Sequence, residues 1–182
     1  DRTVFKITDY HREHMPKKKR FASAYTSRGC RHHCSYCSTP KLWGQLHRYR
    51  PGEQVVAEWR QLRVDHGVDG ILVEDDLFTH DKDRVLELCE QLIRKAPGVT
   101  WELLNGVRPD SVDPALLSMM ARAGCTRIAF GIETAGATSL KRMGRTPNMA
   151  KVADLVRSAV DAGLSTTGYF MIGLPGETEA DR

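Results

Sequence analysis

A parallel α/β fold is what this sequence predicts, and two observations carry the prediction. Five short apolar segments, Phe21 to Ser27, Ile71 to Glu74, Thr100 to Leu104, Thr126 to Ile132 and Thr166 to Ile172, alternate with amphipathic helical stripes. Repetition of this kind builds βαβ units wound in one direction. The composition agrees: 182 residues, 41% hydrophobic and 27% charged, suit one globular domain with a sizeable core. Two closures satisfy the pattern, an open doubly wound sheet or a full or partial (β/α) barrel, and periodicity alone leaves both open.

Each element has its own signal. Residues 1–20 lack sustained periodicity and read as a connector from an upstream domain, with 21–182 as the core. After the Pro51-Gly52 break, Val55, Val56, Trp59 and Leu62 recur at helical spacing, and Gly67 marks a stop. Val85, Leu88, Cys89, Leu92 and Ile93 make the second stripe, with Asp81 as its cap. Asp113 and Pro114 start a third helix, which carries Leu116, Leu117 and Met120 to Gly124. Met149, Val152, Leu155, Val156, Ala159 and Val160 form the last stripe, up to Gly163.

The totals narrow the function. No run of about 18 apolar residues and no signal peptide occurs, which predicts a cytoplasmic protein. The formal net charge is +4, and much of the excess lies in Lys17, Lys18, Lys19 and Arg20. A short basic run beside Pro16 reads as a solvated connector, and no basic and aromatic interleaving points to nucleic acid.

Chemistry concentrates in TSRGCRHHCSYCSTP, where Cys30, Cys34 and Cys37 stand at gaps of three and two residues. A cubane iron–sulfur cluster takes one thiolate per iron, so three cysteines leave one iron open to a reactant. Structural zinc is the alternative, since His32 and His33 flank the thiols, but a closed zinc site usually draws on a second ligand pair downstream. Cys89 and Cys125 sit singly inside apolar stripes as small buried hydrophobes. Five is an odd number for a disulfide framework.

Other polar residues fall at the carboxyl ends of the expected strands, where parallel α/β folds place their chemistry. These are Glu74, Asp75 and Asp76 after the second strand, Asn105 and Arg108 after the third, Glu133 at the end of the fourth, and Gly173-Leu174-Pro175-Gly176 after the fifth. A carboxylate ending an apolar strand needs a partner, and for Glu133 an ion pair with Arg108 is the plain alternative to a ligand role.

C-x3-C-x2-C with Tyr36 before its last cysteine resembles the motif of the radical S-adenosylmethionine (SAM) enzymes. The resemblance implies a partial (β/α)6 TIM-like barrel with about five βα units present and one missing beyond Arg182. It implies a [4Fe-4S] cluster on Cys30, Cys34 and Cys37, whose open iron chelates the amino and carboxylate groups of SAM. Cleavage of the sulfonium then gives a 5′-deoxyadenosyl radical, fed by an external electron donor of the flavodoxin or ferredoxin type, for attack on a small-molecule substrate. By the same resemblance Asp75 or Asp76 meets the SAM amino group, where the family usually has Gly-Gly-Glu. Glu133 takes the ribose hydroxyls or the amino group, and Arg108 forks onto the carboxylate. Ile172 and Gly173 lie against adenine, whose edge the main chain near Tyr36 reads.

Taken together, YTSRGC, CSTPKLWG, EDDLFT, GIET and MIGLPGET are similar to the cobalamin-dependent radical SAM enzymes. That likeness implies a cobalamin bound by a domain outside this chain, with Arg31 standing where a proline is common. Two alternatives share the cysteines: a methylthiotransferase acting on tRNA or a ribosomal protein, and a non-catalytic metal-binding module.

Overall fold

The computed structural model describes residues 19–145 and 148–179. The connector reading therefore lies mostly outside the described residues. One sheet dominates, formed by β1 (Phe21–Ala24), β4 (Gly70–Val73), β5 (Trp101–Val107), β6 (Cys125–Glu133) and β7 (Ser165–Phe170). All of its pairings are parallel and its spatial order is β1-β4-β5-β6-β7, the order of the chain. A doubly wound sheet reverses its strand order at a switch point. This one never does, so the chain winds one way round, as a partial barrel requires.

Four helices supply the outer layer: α2 (Gly52–Val64), α3 (Lys82–Lys95), α4 (Pro114–Arg122) and α6 (Met149–Asp161). Each packs on the next, α2 on α3, α3 on α4 and α4 on α6. The expected caps are in place, since Asp81 accepts from the Arg84 amide at 3.0 Å and Asp113 from the Leu116 amide at 2.8 Å. Val55, Trp59, Val85, Leu88, Leu116, Leu117, Met120 and Ile128 are fully buried between helices and sheet. Trp101 anchors this core, its ring 5.8 Å from that of Trp59 and 5.4 Å from that of Phe78, its indole nitrogen donating to the Ala123 carbonyl at 3.0 Å.

The structure departs from the expected elements at the functional end. The first strand stops at Ala24; Ser27–Arg28 (β2) turns away to pair antiparallel with Arg48–Tyr49 (β3). The cause is polar, because Thr26 and Ser27 bond to Asp75 instead of continuing the sheet. Two short helices, α1 (Thr39–Trp43) and α5 (Ala137–Arg142), were not expected. β5 runs past Leu104 to Val107, so that Asn105 lies inside the strand. Register breaks between Leu103 and Val107 of β5 and between Gly131 and Glu133 of β6 bend both strands at their carboxyl ends.

Candidate radical SAM site

The cysteine loop leaves β2 and is held by its neighbours rather than by its own secondary structure. Gly29, at φ +92, approaches so near that a Cβ there would lie 2.4 Å from the Leu46 carbonyl oxygen. Its amide donates to the Asp76 carboxylate at 2.9 Å, and the Thr39 hydroxyl reaches the other Asp76 oxygen at 3.2 Å. Asp76 thus clamps the loop just before Cys30 and just after Cys37. The Cys37 amide donates to the Cys34 carbonyl at 3.0 Å, a tight turn that brings the second and third cysteines round.

Below the clamp, Asp75 is 3% exposed. It accepts from the Thr26 amide at 2.6 Å, the Thr26 hydroxyl at 2.5 Å and the Ser27 hydroxyl at 2.6 Å. Because Ser27 spends its proton on Asp75, it must accept from Nε2 of His47, 3.0 Å away, which fixes His47 as the neutral Nε2–H tautomer. Burial, followed by the positive fields of His80 and Arg84, holds the His47 pKa down at about 4. Glu74, the first acid of the run, accepts from the Ser23 hydroxyl at 3.0 Å.

All three loop thiols are free and half-buried, and the donor set suits soft metal chemistry. Burial raises the Cys30 pKa, and the nearby charges of Cys34, Cys37 and Asp76 add to the rise. Arg108 lies beside it, its Nη1 donating to the Cys34 sulfur at 3.5 Å. Among the described residues no three Cys, His, Asp or Glu side chains converge on a single ion. Cys89 and Cys125 are buried away from the loop, and burial pushes the Cys89 thiol up to about 12.

Across the loop stands a second constellation, with one member the sequence did not disclose. The Tyr36 hydroxyl donates to Oε1 of Glu133 at 2.9 Å. Arg145 Nη1 lies 3.0 Å from the Tyr36 oxygen and 2.9 Å from that same Glu133 oxygen, while its Nη2 donates to the Gly131 carbonyl at 2.6 Å. Arg145 is 4% exposed, and its Nε has no hydrogen-bond partner among the described residues. The ion-pair partner weighed for Glu133 is thus corrected: Arg108 pairs with Asp110 at 2.7 Å, and Arg145 takes Glu133. Following α5 in a polar stretch, Arg145 has no periodicity that would single it out.

The GLPG turn completes the rim. Glu177 caps it, accepting from the Gly173 amide at 2.5 Å and the Leu174 amide at 3.1 Å, and Ile172 stands 80% exposed beside it. The structure therefore brings Cys30, Cys34, Cys37, Tyr36, Arg108 and Glu133 around one loop. It puts Asp75 and Asp76 beneath that loop, with their oxygens already bonded.

Residues 24–182 match the family model of the radical SAM superfamily. The chain belongs to that superfamily. Among curated relatives, the cytidylyl-2-hydroxyethylphosphonate methyltransferase of Streptomyces wedmorensis is 35% identical over 157 residues, 86% of this chain and 29% of that one. The ribosomal protein uS12 methylthiotransferase RimO of Herpetosiphon aurantiacus is 32% identical, over 93% of this chain and 39% of its own. In fold, the chain is like TsrM of Kitasatospora setae, a radical SAM methyltransferase solved with cobalamin and a [4Fe-4S] cluster, at a TM-score of 0.81, 21% identity, and coverage of 94% of this chain and 36% of that one. This radical SAM chain thus spans well under half the length of each. The one-way parallel sheet and this likeness in fold agree with a partial barrel of the radical SAM type. Among the described residues no helix is long and apolar enough to cross a membrane.

Proposed function

We propose that the chain is the cluster- and SAM-binding core of a radical enzyme, with residues 1–20 leading in from an upstream domain and 21–182 forming the core. The observation that carries the reading is the loop of three free thiols, clamped by Asp76 and facing the Tyr36–Glu133–Arg145 constellation. Cys30, Cys34 and Cys37 would hold a [4Fe-4S] cluster, which when bound supplies an open iron for SAM and the electron that breaks its sulfonium bond to release a 5′-deoxyadenosyl radical.

The residues of the chain do the rest by position. Tyr36 and Arg145 hold the Glu133 carboxylate toward the loop, where it can accept from the ribose hydroxyls or the amino group of SAM. Arg108, beside Cys34, carries its charge where a carboxylate would dock. Ile172 and the Gly173 backbone offer a flat apolar edge to adenine. Asp75 and Asp76 are better suited to bracing the loop than to binding SAM, since Thr26, Ser27, Gly29 and Thr39 already engage them.

The methyltransferase relative and the cobalamin-bound fold neighbour support a cobalamin-dependent reaction on a small-molecule substrate, with cobalamin held by a domain outside this chain. A methylthiotransferase is the second reading, favoured by the uS12 relative. Anaerobic reconstitution tests the proposal. The protein is expected to turn brown with about four irons, one per corner of the cubane, and to form 5′-deoxyadenosine with SAM and dithionite. A Cys30→Ala/Cys34→Ala/Cys37→Ala variant that still forms it would refute the reading.

A further inference from the structure

Arg28 and Arg48 stand directly opposite each other across the β2–β3 pair. Like charges in that relation repel and weaken a two-stranded pair, so an uncompensated pair of this kind calls for an anion. Among the described residues neither arginine has a carboxylate partner. Arg48 donates once, from Nη2 to the Trp43 carbonyl at 3.3 Å. The Arg28 guanidinium makes no hydrogen bond to any described residue; rings hold it instead, its carbon 3.9 Å from the centre of the Tyr25 ring and 4.6 Å from that of Trp43. Stacking of this kind fixes a guanidinium and leaves its N–H fork free to receive a ligand.

A cleft of about 400 Å³ opens at this pair, with Ser23, Tyr25, Arg28, Arg48, Tyr49 and Glu58 in its lining. Glu58 does not neutralise the facing arginines, because it is engaged by Nη1 of Arg50 at 2.6 Å, which also donates to the Tyr25 carbonyl at 2.8 Å. The third arginine and the acid cancel, and two cations remain. A cleft of this size falls within the range of about 300–1,000 Å³ that takes small molecules. Two forks select a doubly charged oxyanion over a single carboxylate, and the half-exposed rings of Tyr25 and Tyr49 offer a surface to an apolar or flat body. Tyr36, Arg108, Glu133 and Arg145 do not line this cleft, so it is separate from the constellation across the cysteine loop, although Arg28 stands two residues before Cys30.

We propose that Arg28 and Arg48, framed by Tyr25 and Tyr49, form a binding site for the phosphoryl group of a phosphorylated small molecule. The site binds that group and does no chemistry on it.

The test uses the full-length protein without cluster or SAM, in phosphate-free buffer of low salt at about pH 8, where a phosphoryl group has lost its second proton. Phenyl phosphate is the probe, titrated by calorimetry, with benzoate as the singly charged ring and phenol as the uncharged one. Phenyl phosphate is expected to bind, benzoate about tenfold more weakly and phenol not detectably. Arg28→Gln/Arg48→Gln should weaken phenyl phosphate about tenfold or more while the thermal midpoint holds or rises, since the facing charges are gone. Arg28→Lys keeps the charge and should still weaken it about threefold, because an ammonium cannot fork onto the oxyanion. Arg63→Gln, outside the cleft, should change nothing. No binding by the parent protein, equal affinity for benzoate, or unchanged affinity in both Arg28 variants would overturn the site. A single-stranded oligonucleotide that displaces phenyl phosphate at far lower concentration would make this a nucleic-acid surface and overturn the small-molecule assignment. A protein that binds phenyl phosphate yet, once reconstituted, forms no 5′-deoxyadenosine would keep this site and lose the radical SAM reading, so the two fail separately.

Discussion

Glu133 sits at φ +71, the one non-glycine residue with a positive φ among the described residues. The Thr134 amide closes back on the Ile132 carbonyl at 3.0 Å, so Glu133 is the middle of a three-residue γ-turn, a conformation that costs on the order of 1–3 kcal/mol. What offsets the strain is the buried guanidinium of Arg145 on its carboxylate. Removing that cation leaves a largely desolvated carboxylate without a counter-charge, bonded to the neutral Tyr36 hydroxyl, so Arg145→Met should lose about 3 kcal/mol in urea unfolding. Arg145→Met/Glu133→Gln should recover a good part of the loss. Equal costs for the single and the double variant would mean that the two residues are not coupled. His47 carries a pH signature. Its folded pKa of about 4 lies below the usual value of 6.5, so the stability it contributes is present above pH 6.5 and is lost as pH falls toward 4. Between pH 7 and pH 5 the parent protein should lose about 2 kcal/mol more than His47→Gln, measured from urea midpoints. Parallel pH profiles would show that His47 is not held neutral.

At the scale of elements, the repeating units were legible in the sequence and the functional end was only partly so. Trp59 and Leu88 recur at helical spacing and bury against a sheet, and Asp81 and Asp113 cap where their positions say they should, because these signals are local. The cysteine motif was equally legible, since it rests on residue type and spacing alone. The β2–β3 pair was not, for its cause is a contact between Ser27 and Asp75 across 48 residues. Arg145 escaped for the same reason: it meets Tyr36 across 109 residues. Gly29 joins the two levels, a residue readable as a motif glycine whose necessity appears only against Leu46. Gly29→Ala meets both the φ penalty and the Leu46 carbonyl, and should destabilise the protein by about 2 kcal/mol or more. Because the strain falls on the loop, iron uptake on reconstitution should drop with it. Full iron content and unchanged stability together would show that the loop does not depend on this close approach.

Over the whole molecule, the sheet is covered unevenly. β4, β5 and β6 bury most of their side chains, whereas β7, which among the described residues pairs only with β6, is almost wholly exposed. Tyr169, Phe170 and Ile172 show large apolar surface along that edge. An exposed parallel edge has a row of backbone donors and acceptors pointing outward and a hydrophobic face next to them, the combination that recruits another strand. In a partial barrel, one more βα unit placed beside β7 would satisfy both. The 182-residue chain on its own is therefore expected to self-associate, with apparent mass rising with concentration in size exclusion with light scattering. A lysine on the edge should weaken that pairing through charge repulsion, so Phe170→Lys should shift the distribution toward monomer without lowering the thermal midpoint, since Phe170 is 62% exposed and little packing is lost. A chain that stays monomeric and unfolds cooperatively without the substitution would show that β7 is a closed edge and that the barrel needs no further strand there.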